Sequence, residues 1–92
     1  MRRKIQSQKN ENTYYMAEHA IYVLNKKGEL VTKVLPPESK SYQTSDIVLG
    51  FRDLYYNDDE LTVFIMKRDY ELYRSRLDEA TFEFIDDWIY SR

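Results

Sequence analysis

The segment that most constrains the fold runs from Leu77 onward, where Leu77, Ala80, Phe84, Ile85, Trp88 and Ile89 recur at helical spacing. Glu79, Glu83, Asp86, Asp87 and Tyr90 fall between them. At about 100° per residue the apolar set shares one side of a helix and the acidic set the other. The spacing predicts a C-terminal amphipathic helix with a core-facing stripe and a solvated back. Tyr70 and Tyr73 carry the stripe backward, so the helix starts near Asp69 as a cap, or near residue 78 if Ser75 and Asp78 form a capping box.

Such a helix needs a platform, and the middle of the chain supplies β-like segments. Ile21 to Leu24 and Leu30 to Leu35 alternate around Asn25-Lys26-Lys27-Gly28, which predicts a hairpin whose turn closes with Gly28 in the left-handed region. Pro36-Pro37 ends the second strand, since neither residue donates a ladder hydrogen bond, and the polar run Glu38 to Ser45 reads as a loop. Residues 46–56 fit a strand through Ile47, Leu49 and Phe51, or a short helix aligning Ile47, Phe51, Leu54 and Tyr55. Gly50 inside that helix costs about 1 kcal/mol relative to Ala, which favours the strand. Leu61 to Met66, with Val63 and Ile65 β-branched, is the most strand-like stretch, and Asn57-Asp58-Asp59-Glu60 is the turn leading into it. Residues 18 to 66 resemble one blade of a β-propeller in outline; they carry no blade signature, and a helical C-terminus would end the likeness.

At 92 residues the chain suits a single domain. Residues 1–13 are polar apart from Ile5 and read as a flexible arm, leaving 14–92 as the domain. The fold class expected is α+β: an antiparallel meander of three or four strands packed by the C-terminal helix, with Phe84, Ile85, Trp88 and Ile89 meeting Ile21, Val23, Val34, Phe64 and Ile65.

The sequence excludes more functions than it suggests. His19 is the single histidine and cysteine is absent, so no His-rich or thiolate metal centre can be built within one chain. Two glycines are too few for a phosphate-cradling loop, and no serine stands in a nucleophile elbow. Asn57 to Glu60 lacks the alternating ligands and central glycine of a calcium loop, and Asp86 and Asp87 fall on the solvated helix face, away from the burial that tunes an acid–base pair. The expectation is a non-enzymatic chain without cofactors. Its longest apolar run is far below the roughly 18 residues that cross a bilayer, and polar Gln6 to Asn12 follow Arg2, Arg3 and Lys4 where a signal peptide requires an apolar stretch. A cytoplasmic location follows as an expectation from these and from the missing cysteine.

Binding remains. Tyr14-Tyr15 and Tyr55-Tyr56 are adjacent pairs, and in a strand one member of each must point away from the core. Tyr55 and Tyr56 as anchors, with Asp58, Asp59 and Glu60 steering a basic site, describe a partner-binding patch of a small inhibitor, immunity-type or regulatory protein that occludes another protein's surface. The alternative is a nucleic-acid-binding regulator using the basic arm and residues 67–76, where Lys67, Arg68, Arg74 and Arg76 interleave with Tyr70 and Tyr73. A formal charge of −2 makes that the weaker reading, and a homo-oligomer formed through a strand edge is also open.

Overall fold

The fold was obtained as a computed structural model that describes residues 3–39 and 46–91. It is all-β among those residues: β1 (Arg3–Gln6), β2 (Thr13–Met16), β3 (Ile21–Leu24), β4 (Leu30–Val34), β5 (Val48–Asn57), β6 (Glu60–Lys67), β7 (Leu72–Arg76) and β8 (Ile89–Ser91). The strands form two successive antiparallel meanders, β1-β2-β3-β4 and β5-β6-β7-β8. The hairpin expected at residues 21–35 is β3–β4, reversing on Gly28 at φ 81°, with the Asn25 side chain accepting from the Lys27 and Glu29 amides. Within residues 46–56 the strand reading holds from Val48 onward, in β5. Part of the stretch read as an arm is β1, in register with β2 through Ile5 opposite Tyr14. The 18–66 blade outline is divided, since β3–β4 and β5–β6 belong to different sheets. Of the loop expected over residues 38–45, positions 40–45 lie outside the described residues.

The α+β expectation is overturned, because no helix forms between residues 69 and 91. Tyr70 takes φ 62°, outside the right-handed helical region, and reverses the chain into β7. Residues 77–88 then run as an irregular strap: Leu77 bridges Phe84, and the Ile85 amide donates to the Arg76 carbonyl at 2.9 Å. Along it burial alternates, with Phe82, Phe84, Asp86 and Trp88 half-buried and Glu83, Ile85, Asp87 and Ile89 exposed. The same letters therefore carry a period of two beneath the period of 3.6. The extended period is held by Asp86, a half-buried acid whose carboxylate accepts from Arg76 and whose backbone amide donates to Ser75 Oγ. Aromatic residues also lose rotamer freedom in a helix, which weakens the competing state.

One core joins the sheets. Tyr14, Met16, Ile21, Val23 and Val34 meet Phe51, Leu54, Leu61, Val63, Ile65 and Leu77, with Phe84 and Trp88 packed at its margin. Of the helix stripe, Ile85 and Ile89 are exposed. Phe64 is buried as expected but stands outside this cluster, on the other side of its strand, stacked under Tyr55 at 5.0 Å between ring centroids. The sheets meet where β1 and β2 come against β5. There the Phe51 amide donates to the Glu18 carbonyl at 2.8 Å, and Gly50 at φ 150° lets the chains approach. A Cβ at position 50 would sit 2.5 Å from the Glu18 oxygen.

Candidate functional site

The β5–β6 hairpin positions the residues singled out as a partner-binding patch. Alternation along β5 separates its adjacent tyrosines, so Tyr55 stands on the outer face, 37% exposed, while Tyr56 turns inward. Asp58 and Asp59 form the exposed tip of the turn, Asp58 holding φ 54°, a conformation that a short polar side chain tolerates. Glu60 lies 3.9 Å from Arg76, inside an ion-pair group that Asp86 dominates through two guanidinium hydrogen bonds of 3.0 and 2.9 Å. Tyr55, Asp58 and Asp59 thus share an outward-facing surface. Tyr56 does not join them.

Where Tyr56 goes is the feature that sequence reasoning missed. Its hydroxyl donates to Glu79 Oε1 at 2.8 Å, and the same oxygen accepts from Ser7 Oγ at 2.7 Å and from Tyr14 at 2.8 Å. Glu79 is only 8% exposed, although the helical reading placed it on the wetted face. Its second oxygen, Oε2, is buried without a hydrogen-bond partner among the described residues. Burial, with the bond to Glu79 and its charge added, pushes the Tyr14 hydroxyl far above its ordinary value. Burial raises Tyr56 too, against the opposing pull of Ser7 and the Gln8 amide. A tyrosine kept protonated is a donor and not a base, so the cluster ties β2, β5 and the Ser7 loop to the strap. Neither Ser7 nor Glu79 stands near its partners in sequence, so no local motif announces the cluster.

The basic-aromatic stretch of residues 67–76 is split by strand alternation. Lys67 and Tyr73 lie on the inner side, the ammonium 4.1 Å from the ring centroid, whereas Arg74 and Arg76 project outward. Arg76 is neutralised by Asp86, whose carboxyl the guanidinium holds below the usual carboxylate range. The outer face of the second sheet therefore sets out Tyr55, Phe64, Arg74 and Ile89 in adjacent rows, with the acidic turn at its end. Beside it, a groove of about 380 Å³ is lined by Asp58, Thr62, Arg74, Arg76 and Ile89 among others. Among the described residues no group of three or more His, Asp or Glu side chains is placed to hold a metal ion, and no helix is long and apolar enough to cross a membrane.

Comparison with known protein families, with curated proteins and with solved structures yields no match.

Proposed function

We propose that this chain is a non-enzymatic binding module of the inhibitor, immunity-type or regulatory kind, acting in the cytoplasm by covering a basic surface of a larger protein. The observation that carries the reading is Tyr55 held against Phe64 at 5.0 Å and 23° between ring planes, beside the exposed Asp58 and Asp59. A ring already fixed in the free protein loses little conformational freedom on docking, and tyrosine is a favoured interface anchor. Arginine and aromatic residues in the neighbouring rows match the composition of interface centres. Asp58 and Asp59 attract the partner, and Tyr55 fills a pocket on it. Tyr56 serves the fold, holding the strap to β5 through Glu79.

The test is capture of partners from the source organism by immobilised protein, with bound chains identified by cross-linking at the hairpin. Tyr55→Ala combined with Asp58→Asn and Asp59→Asn is expected to lose the cross-linked partner while keeping the wild-type melting temperature. A triple variant that retains the same partner in the same yield refutes this docking surface.

A further inference from the structure

Formal charge is divided unevenly along this chain: residues 1–37 hold seven Lys and Arg against three Asp and Glu, a balance of +4. Residues 38–92 hold seven against thirteen, a balance of −6. The first sheet, built from the positive portion, presents one cross-strand row on its outer face. Lys4 stands opposite Tyr15, Tyr15 opposite Tyr22, and Tyr22 opposite Lys33. With strands about 4.8 Å apart, this row of two rings between two ammonium groups spans about 14 Å. Lys4, Tyr15 and Tyr22 are held by local contacts. Lys4 Nζ lies 5.5 Å from the Tyr15 ring centroid, and the Tyr22 hydroxyl is 3.0 Å from His19 Nε2. Around the rings a concavity of about 380 Å³ is lined by Arg3, Lys4, Tyr15, Met16, His19 and Tyr22.

We propose that this face binds single-stranded nucleic acid, bases stacking on Tyr15 and Tyr22 and phosphates meeting Lys4 and Lys33. Adjacent rings flanked by cations along a track suit an unpaired strand, because every base offers a π-face and every linkage a negative charge. An acidic peptide satisfies the lysines but makes no use of two tyrosines flanking a concavity. A duplex, with its bases stacked inside, reaches only the charges. The site lies on the opposite sheet from Tyr55 and the acidic turn, so it stands or falls independently of the protein-docking reading. It also differs from the basic-aromatic stretch of residues 67–76, which strand alternation divides between two faces.

Fluorescence anisotropy with labelled DNA and RNA strands of about twelve nucleotides, a length within the range of aromatic-lined sites, tests it. The two strands separate the possible sources of the ligand. Binding at low salt is expected to weaken with a log–log slope of about −1.4 for two phosphate contacts, and Lys4→Gln or Lys33→Gln to flatten it by about 0.7 each. Tyr15→Ala and Tyr22→Ala should each weaken binding about tenfold, whereas Tyr15→Phe and Tyr22→Phe, which keep the ring, should stay within about twofold. The phenylalanine variants also separate loss of stacking from loss of fold. The proposal is overturned if neither strand binds at low salt, if the alanine variants bind as wild type does, or if a duplex or a glutamate-rich peptide binds as tightly. Salt-sensitive self-association of the protein without oligonucleotide binding overturns it as well, assigning the face to a second copy.

Discussion

The first sheet reverses between β3 and β4 on Gly28 at φ 81°, whereas the second sheet and its strap reverse on Asp58 at φ 54°, Tyr70 at φ 62° and Phe82 at φ 59°. A side chain in that region costs about 1 to 2 kcal/mol, a cost that glycine avoids. Buried polar side chains lean the same way, with Thr62, Ser75 and Glu79 in the second half against Ser7 in the first among the described residues. The β3–β4 hairpin is thus locally consistent, its turn agreeing with its own residues. The second reaches its shape through bonds made at long range, and those bonds are where the contrast can be tested.

Glu79 is the most exposed to such a test in energetic terms, because three hydroxyls converge on one oxygen across 72, 65 and 23 residues of sequence. Glu79→Ala leaves the fully buried Tyr14 hydroxyl and the buried Ser7 hydroxyl without their acceptor, each at about 1 to 3 kcal/mol. A loss of about 3 kcal/mol or more in chemical denaturation is expected, with Glu79→Gln, which keeps an acceptor oxygen, losing less. Equal midpoints for Glu79→Ala and wild type would dissolve the claim that the second half leans on the first.

Next in size is Gly50→Ala at the junction of the sheets. The added Cβ meets the Glu18 carbonyl at 2.5 Å and must also adopt φ 150°, so the Phe51 to Glu18 hydrogen bond has to lengthen. Strain of this kind amounts to about 1 to 3 kcal/mol. Thermal unfolding of the variant checks it, and the contrast sharpens if Gly28→Ala, which meets no neighbour within 4 Å, loses less.

How much of this was legible follows the same line. The β3–β4 hairpin and β6 could be read because alternation and turn residues lie within a few positions of one another. The strap could not: residues 77–89 support two periods at once, and the choice depends on Arg76 and Ser75 receiving Asp86, and on Ser7, Tyr14 and Tyr56 receiving Glu79. A window that sees only acids beside aromatics assigns both carboxylates to water. β1 was hidden for a simpler reason, since Ile5 alone in Arg3–Gln6 points to the core and one residue makes no pattern. At the candidate patch, the rule that adjacent strand tyrosines face opposite ways anticipated that one of Tyr55 and Tyr56 is outward; which one depends on the register of β5, itself shifted by bulges near Gly50 and Arg52.

Acid sensitivity tests the pairing of Asp86 with Arg76 in the strap. The Arg76 side chain, then its amide, lowers the folded value of Asp86 beneath the unfolded one near 3.8. A depressed carboxyl contributes stability that is full above its unfolded value and is lost as pH falls through the folded one. Stability is therefore expected to decline below about pH 4, with Asp78 contributing in the same direction through the Thr81 and Ala80 amides. Asp86→Asn should reduce the steepness of that decline in denaturation followed from pH 5 to pH 2. An unchanged pH profile would mean that the Arg76 pairing adds nothing to the strap.

The smallest effects come from exchanging the turns' chemistry between the sheets. Gly28→Ala forces a side chain into φ 81°, so the first sheet should lose about 1 kcal/mol, although the position opens onto free space. Tyr70→Gly does the reverse, relieving a residue at φ 62° whose ring is 76% exposed. The gain is limited by the greater freedom that glycine brings to the unfolded chain, which leaves about 0.5 kcal/mol in favour of the variant. Opposite signs in paired urea titrations would establish that the second sheet tolerates strain its own turns do not relieve. If Tyr70→Gly destabilises instead, the tyrosine ring must be holding the β6–β7 turn through contacts worth more than the left-handed backbone costs, and strain would no longer distinguish the two halves at that turn.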